Sequence, residues 1–342
     1  MTSRELIYRA ARFQGPSRVP YQLPDQFGSD MLQVGIGPDP AFTPSIQTDL
    51  KWEDEWGCIW EKPAGDKTIG QVTGHPLDDW SKLDCLRIPD YAKPERYADA
   101  RQAIAQQTGD KFVIAFVPLQ LNHLTEFLRG FDAAMTDPYE YPEQLGRLLD
   151  LQVAQARVYI DILASLGVEG FFSADDWGLQ NSLMISPAIW RQFYKPRYAA
   201  IWGHARQRGM LTFLHCCGYI PEILPDMIEA GLDVIQMDQQ LNMGLEFLAE
   251  RFGGKIAFWC PVDIQRVMPS ATPAEVRAYT RKLIDNLGAF NGGFIGKWYP
   301  FPYAVDHPWE NIKAMSEEFI EYGGRVYQNR GEPARIAGKK VQ

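Results

Sequence analysis

Residues 211–218 read LTFLHCCG. A short β-forming apolar run leads directly into a histidine, two cysteines and a glycine, so the reactive groups stand where a strand ends. Outward from this stretch, from about residue 109 onward, the same pattern recurs: an apolar run, a polar or Gly/Pro break, then an amphipathic helical stretch. The strand candidates are 112–117 (FVIAFV), 167–174 (GVEGFFSA), 211–215 (LTFLH), 234–237 (VIQM), 256–259 (IAFW) and 293–297 (GFIGK). Helical patterns cover 187–207, 220–230, 272–287 and 309–322. Strands alternating with helices predict βαβ units and a parallel sheet. Polar residues gather just beyond several different strands, which is the rim expected at the C-terminal end of a (β/α)8 TIM barrel rather than of an open sheet.

Residues 18–23 (RVPYQL) supply a first strand, and 46–52 or 55–60 a second. Residues 26–90, rich in Gly, Pro, Trp and Asp, read as an irregular insertion. Within it, 58–61 is expected to pair with 68–72 as a hairpin over the barrel mouth. Residues 1–330 then form a single domain, and 331–342 a basic tail. The GIGPDP run at 35–40 lacks the third glycine of a dinucleotide loop and places prolines where its helix should open.

A chain of 342 residues with 46% hydrophobic and 23% charged residues is globular, and this length is within reach of one barrel with insertions. The net charge of −9 and scattered basic residues speak against nucleic acid and for a small-molecule substrate. No run approaches the roughly 18 apolar residues of a membrane span. The start, MTSRELIYRAARFQG, is interrupted by charges and reads as a helix rather than a secretory signal. Five irregularly spaced cysteines make free thiols in a reducing, cytoplasmic setting the expectation.

Side chains alternate along a strand, so His215 and Cys217 share a face while Cys216 points away, toward the helix layer. Imidazole and thiolate are zinc donors, and a catalytic zinc takes three protein ligands with one position left open. Cys260, after IAFW, is ranked first as the third ligand, ahead of Asp238 and His307. A Cys-His nucleophile pair is the alternative, although it usually draws its base from a separate part of the fold. Asp175, Asp176, Trp177 and Gln180 follow the strand ending in GFFSA. Of the two carboxylates, one is expected to cap or brace the loop, and Asp176 to be the catalytic member, with Asp175, Trp177 and Gln180 on the substrate side. Lys297 and Trp298, ending the last strand, offer a cation and a flat ring to substrate. His123, with Glu126 and Arg129 on one side of a helix after FVIAFV, is a further catalytic candidate.

The stretches DDWGLQNSLMISPAIWRQFYKPRY, GMLTFLHCCGYIPEILPDMIEAGLDVIQ and NIKAMSEEFIEYGG, and more weakly TSRELIYRAARFQGPSRVPY, resemble the uroporphyrinogen decarboxylase superfamily, and within it the methylcobamide methyltransferase branch. The resemblance implies a (β/α)8 barrel and an H-x-C zinc motif, matched by His215 and Cys217. It also implies a thiol acceptor activated on zinc and a methylated corrinoid held by a separate partner protein, with tetrahydrofolate as acceptor in some relatives. Relatives suggest a monomer or homodimer. Two departures stand out. The thiol methyltransferases take a third cysteine ligand from the segment that here reads KWYPFPYAVDHPWEN, without cysteine, and the decarboxylases carry arginines where this chain reads YQLPDQFGSD. A zinc methyltransferase, possible in O- or N-demethylation, is therefore the leading expectation. A carboxy-lyase acting on a small carboxylic acid and a non-catalytic corrinoid or tetrapyrrole carrier are its rivals.

Overall fold

The computed structural model describes residues 1–67 and 70–327. In chain order the strands are β1 (Tyr21–Gln22), β2 (Met31–Gly35), β3 (Lys51–Glu53), β4 (Ile59–Glu61), β5 (Gln71–Gly74), β6 (Phe112–Phe116), β7 (Gly170–Ala174), β8 (Leu211–His215), β9 (Val234–Gln236), β10 (Ala257–Cys260) and β11 (Phe294–Lys297). Eight of them form one parallel sheet in the order β1-β11-β10-β9-β8-β7-β6-β2. Helices return the chain between successive strands from β6 on, among them Pro142–Ser165, Lys195–Gln207, Pro273–Leu287 and Trp309–Glu321. This is the expected (β/α)8 barrel. No helix among the described residues is long and apolar enough to cross a membrane.

Period-two alternation divides the strand side chains between two cores. Phe112, Ile114, Leu211, Phe213, Val234, Trp259 and Ile295 fill the barrel interior. Val113, Ala115, Leu214, Ile235, Phe258 and Cys260 face the helix layer. The N-terminal helix α1 (Ser3–Ala11) starts on a capping box between Thr2 and Glu5. It places Ile7, Ala10 and Ala11 in the interior cluster, closing the barrel end opposite the strands' C-termini.

The two ends of the sheet order meet at β1 and β2 mainly through side chains rather than a ladder, with Gln22 Nε2 donating to Gln33 Oε1 at 3.2 Å and Asp30 making the most contacts. The Asp30 N–H donates to Tyr21 O at 2.8 Å, and the Tyr21 N–H donates to Asp30 Oδ2 at 2.9 Å. Arg18 grips both carboxylate oxygens of Asp30 at 2.8 and 2.6 Å, and Ser3 Oγ donates to Oδ1 at 2.7 Å.

The second barrel strand corrects the sequence reading. It is β2, MLQVG, paired residue by residue with β6, and neither 46–52 nor 55–60. Only two residues of β2, Met31 and Val34, are fully buried, so it lacks the continuous apolar run that marks the later strands. The segment read as insertion therefore contributes one barrel strand. It also holds an antiparallel sheet of three strands, β3-β4-β5. The expected hairpin is present but shifted, with Ile59–Glu61 pairing with Gln71–Gly74 across a register irregularity at Ile59/Trp60. Thr68 of the expected partner strand, and the basic tail at 331–342, lie outside the described residues.

Candidate functional site

β7 and β8 pair in register, with Ala174 opposite His215, so the loops beyond them leave the barrel at the same level. Those loops then press backbone to backbone. A Cβ on Gly178 would stand 2.3 Å from Tyr219 N, and one on Gly218 would stand 2.0 Å from Gly178 O. Gly218 also has φ +78°, a left-handed conformation that side chains resist. Glycine at both positions lets the loops touch, and the Tyr219 N–H donates to Leu179 O at 2.8 Å.

Alternation persists into the first loop. Asp175 and Trp177 turn into the helix layer. Asp175 is 1% exposed and accepts the backbone N–H groups of Asn122 and His123 at 2.9 and 3.0 Å and the Tyr198 hydroxyl at 2.5 Å. Trp177, fully buried, donates its indole N–H to Tyr198 Oη at 3.3 Å and packs edge-on against Tyr194. Both therefore anchor the loop rather than meet substrate. Asp176, between them, faces the opposite way. Its Oδ1 accepts the Cys217 N–H at 2.6 Å and lies 3.6 Å from His215 Nε2. The Cys217 thiol stands 3.4 Å from the same Nε2. One donor atom each from Asp176, His215 and Cys217 thus falls within 4.8 Å of the others, and all three residues are partly exposed.

The orientation of His215 is held from behind. Gln236 Oε1 accepts from His215 Nδ1, while Gln236 Nε2 donates to Asp238 Oδ1 at 2.6 Å. That second bond fixes which end of the carboxamide faces the ring, so in the neutral ring that binds a metal Nδ1 carries the proton and Nε2 is the donor atom directed at Cys217 and Asp176. Lys297 Nζ also donates to Asp238 Oδ1, at 2.9 Å. Burial opposes charging His215, but Cys217, Asp176 and Asp238 outweigh it and push its pKa up to about 10. Burial likewise opposes ionising Asp238, yet the Lys297 and His215 cations hold its carboxyl below the ordinary range. A site whose field favours positive charge this strongly is electrostatically suited to a cation.

Cys260, expected as the third zinc ligand, is not brought to this group. It lies one residue past inward-facing Trp259, so it points into the helix-side core, where burial pushes its thiol well up. Asp176, expected as a catalytic residue, instead stands in the donor group where Cys260 was expected, and Cys216 is buried as expected. His307, the other histidine considered, is turned to Ile264 O at 2.9 Å. Gln180 is exposed on the loop and does not line the cavity described below. His123 stacks on Phe127 at 5.9 Å and stands 3.7 Å from Asp175, also away from that cavity. Arg129 is locked in a buried pair with Asp137.

Next to the three donors, the strands' C-terminal ends enclose a cavity of about 470 Å³. Lys297 and Trp298, expected on the substrate side, line it together with His215, Gln236 and Asp238 and with Gln22 and Gln33 from β1 and β2. The glutamines were missed in the sequence. The available signal was a polar residue inside an apolar strand, most clearly Gln236 in VIQM.

A family model described as uroporphyrinogen decarboxylase (URO-D) matches residues 64–322. Among curated proteins, the uroporphyrinogen decarboxylase of Paraburkholderia phytofirmans is 22% identical over 202 residues, covering 57% of this chain and 52% of that protein. That of Methylibium petroleiphilum is 23% identical over 243 residues, covering 66% of this chain and 62% of that protein. The chain thus spans between about half and two thirds of the length of the curated relatives it matches. Among solved structures, a methyltransferase from Methanosarcina mazei superposes with a TM-score of 0.68 over 94% of this chain and 99% of that one, at 16% identity, which is a likeness of fold.

Proposed function

The chain belongs to the uroporphyrinogen decarboxylase family, and from that premise we propose that it is a zinc-dependent methyltransferase, moving a methyl group between a corrinoid carried by a separate protein and a thiol or tetrahydrofolate acceptor, in O- or N-demethylation. The observation that carries this reading is the convergence of Asp176, His215 and Cys217 within 4.8 Å beside the cavity. Oxygen, nitrogen and sulfur donors from three residues, with a side left open, are a donor set that suits a catalytic zinc.

Bound there, zinc supplies Lewis acidity, which brings a thiol to its nucleophilic thiolate form near neutral pH. The chain's own residues do the positioning. Gln236 keeps the proton on His215 Nδ1, leaving Nε2 as the donor. The Cys217 N–H holds the Asp176 carboxylate in place. Lys297 balances the charge of Asp238 behind them. Trp298 and its aromatic neighbours line the space beside the donors with apolar surface.

The cavity also bears on the decarboxylase alternative. A porphyrinogen carries many carboxylates, whereas among the described residues the cavity offers no arginine and a single lysine, already paired with Asp238. A small acid meeting Lys297 is the lyase reading that remains compatible with it. Metal analysis of protein purified without added zinc, with methylcobalamin demethylation followed by absorbance, tests the proposal. Near-stoichiometric zinc and consumption of methylcobalamin with an added thiol support it; a metal-free protein with His215 intact refutes it. Carbon dioxide release from a small acid without methylcobalamin turnover favours the lyase, and cobalamin bound but never consumed favours the carrier.

A further inference from the structure

Of the three candidate donors only His215 lines the cavity. Six of its fourteen lining residues are aromatic, Phe116, Phe172, Trp259, Trp298, Tyr299 and Phe301, against 13% aromatic residues in the chain as a whole. These rings come from β6, β7, β10 and the loop after β11, so they surround the space rather than stack along one element. Phe116 is 38% exposed and Phe301 63% exposed, so apolar ring surface faces water at the mouth. Such surface in a concave site marks a binding face. Trp259 Nε1 meets no acceptor among the described residues, although the ring is buried.

We infer that this cavity binds a planar aromatic small molecule bearing a carboxylate or other oxygen substituent, with the ring held among the aromatic walls and the substituent at Lys297. The inference rests on the methyl-transfer reading for the ring's role as substrate, but not for its binding. Size supports it: an apolar cavity of roughly 150 Å³ takes up benzene, and about 470 Å³ leaves room for a substituted single ring. Charge selects between the two ligands that aromatic walls favour, a flat ring and a methylated ammonium. The ammonium of Lys297 already lies 6.0 Å from the Trp259 ring centroid and 5.8 Å from that of Tyr299. A second cation would meet this charge, and the one carboxylate lining the cavity, Asp238, is already paired with Lys297. An anionic or neutral ring meets two ammonium hydrogens that Asp238 does not use.

Isothermal titration of the full-length protein with 4-methoxybenzoate, with its saturated analogue 4-methoxycyclohexanecarboxylate and with tetramethylammonium chloride tests this directly. The aromatic acid is expected to saturate and to bind roughly ten-fold more tightly than the saturated one, the scale of a few ring-on-ring contacts. Trp298→Leu should weaken 4-methoxybenzoate by a similar factor. Phe301→Ala, at an exposed position that carries little of the fold, should weaken it by roughly three-fold. Cys217→Ala, which removes a metal donor that is not part of the cavity wall, should bind the ring as the native protein does. Ring binding is thus read independently of zinc content and methyl transfer, so failure of the zinc reading and failure of this one are distinguishable. Equal affinity for the saturated acid, indifference to both wall substitutions, or saturation by tetramethylammonium instead of the aromatic acid would each overturn the inference.

Discussion

The backbone N–H of Cys217 donates to the Asp176 side chain at 2.6 Å, joining two loops that the chain separates by 41 residues. One residue thereby acts twice: its main chain orients the carboxylate, and its thiol stands beside His215 Nε2. The three candidate donors are thus brought together across a strand boundary, at the point where β7 and β8 release their loops. Whatever holds those loops together holds the site.

The close approach of Gly178 and Gly218 is what lets the two hydrogen bonds between the loops form. Gly218→Ala places a methyl group 2.0 Å from Gly178 O and forces a side chain onto a residue at φ +78°. Separating the loops should cost about 1–3 kcal/mol in strain alone and move Asp176 away from Cys217. Urea unfolding and zinc stoichiometry, measured on the same preparation, check both effects. Native stability with full zinc content would show that the loops do not need this approach.

Cys260→Ala and Asp176→Ala distinguish the two candidates for the third donor. Cys260 is a small buried residue of the helix-side core, so its replacement should lower stability by about 1 kcal/mol and leave zinc content unchanged. Asp176→Ala should lower zinc affinity by at least the 10- to 100-fold typical of a supporting residue. Competition against a chromogenic chelator reads this without reference to turnover. Zinc retained in Asp176→Ala and lost in Cys260→Ala would restore the cysteine as ligand.

The later strands were legible because each is largely buried on both faces and reads as a mainly apolar run, as LTFLH does. β2 was not, since MLQVG carries an exposed Gln33 and ends on glycine amid turn residues. Strand alternation gave the shared face of His215 and Cys217 directly. The same rule excluded Cys260, because its neighbour Trp259 points inward, but which residue of IAFWC faces in depends on the register with β9 and β11, a property of the pairing that one strand read alone does not reveal. Asp175 and Asp176 were indistinguishable as residues. What separates them is the aromatic anchor of Trp177, Tyr194 and Tyr198, which fixes the odd-numbered side of the loop in the helix layer.

Asp30 is predicted to be the clasp of the barrel. It receives Arg18, Ser3 and the Tyr21 N–H while 2% exposed, at the one seam where β1 and β2 share no ladder. Asp30→Ala leaves the half-buried Arg18 with only the Val19 carbonyl and the Tyr21 N–H without its acceptor, and should cost about 1.5–3 kcal/mol, as loss of charge-assisted hydrogen bonds does. Hydrogen exchange should rise selectively in β1 and β2 and stay slow in β8. Uniform exchange across all strands would assign Asp30 no special place in closure.

The buried pair of Lys297 and Asp238 gives a pH signature. Asp238 has its carboxyl held below the ordinary range, with burial opposing and Lys297 the largest lowering influence. A depressed acid contributes stability that is present above the unfolded value, near 3.9, and lost as pH falls through the lower folded value. In Lys297→Met that contribution disappears and burial acts unopposed except by His215 and Gln236, so the carboxyl should titrate higher. The variant should then be destabilised by about 3–5 kcal/mol at pH 7, where the carboxylate is buried without its cation, and by less at pH 4.5, where it can take up a proton. Asp238→Asn in the Lys297→Met background removes the charge altogether and should recover part of the loss at pH 7 but little at pH 4.5. Urea midpoints of the native protein, Lys297→Met, Asp238→Asn and the double variant at both pH values form a double-mutant cycle. A penalty for Lys297→Met that is the same at both pH values would mean that the lysine contributes packing beside Trp259 and Tyr299 rather than charge.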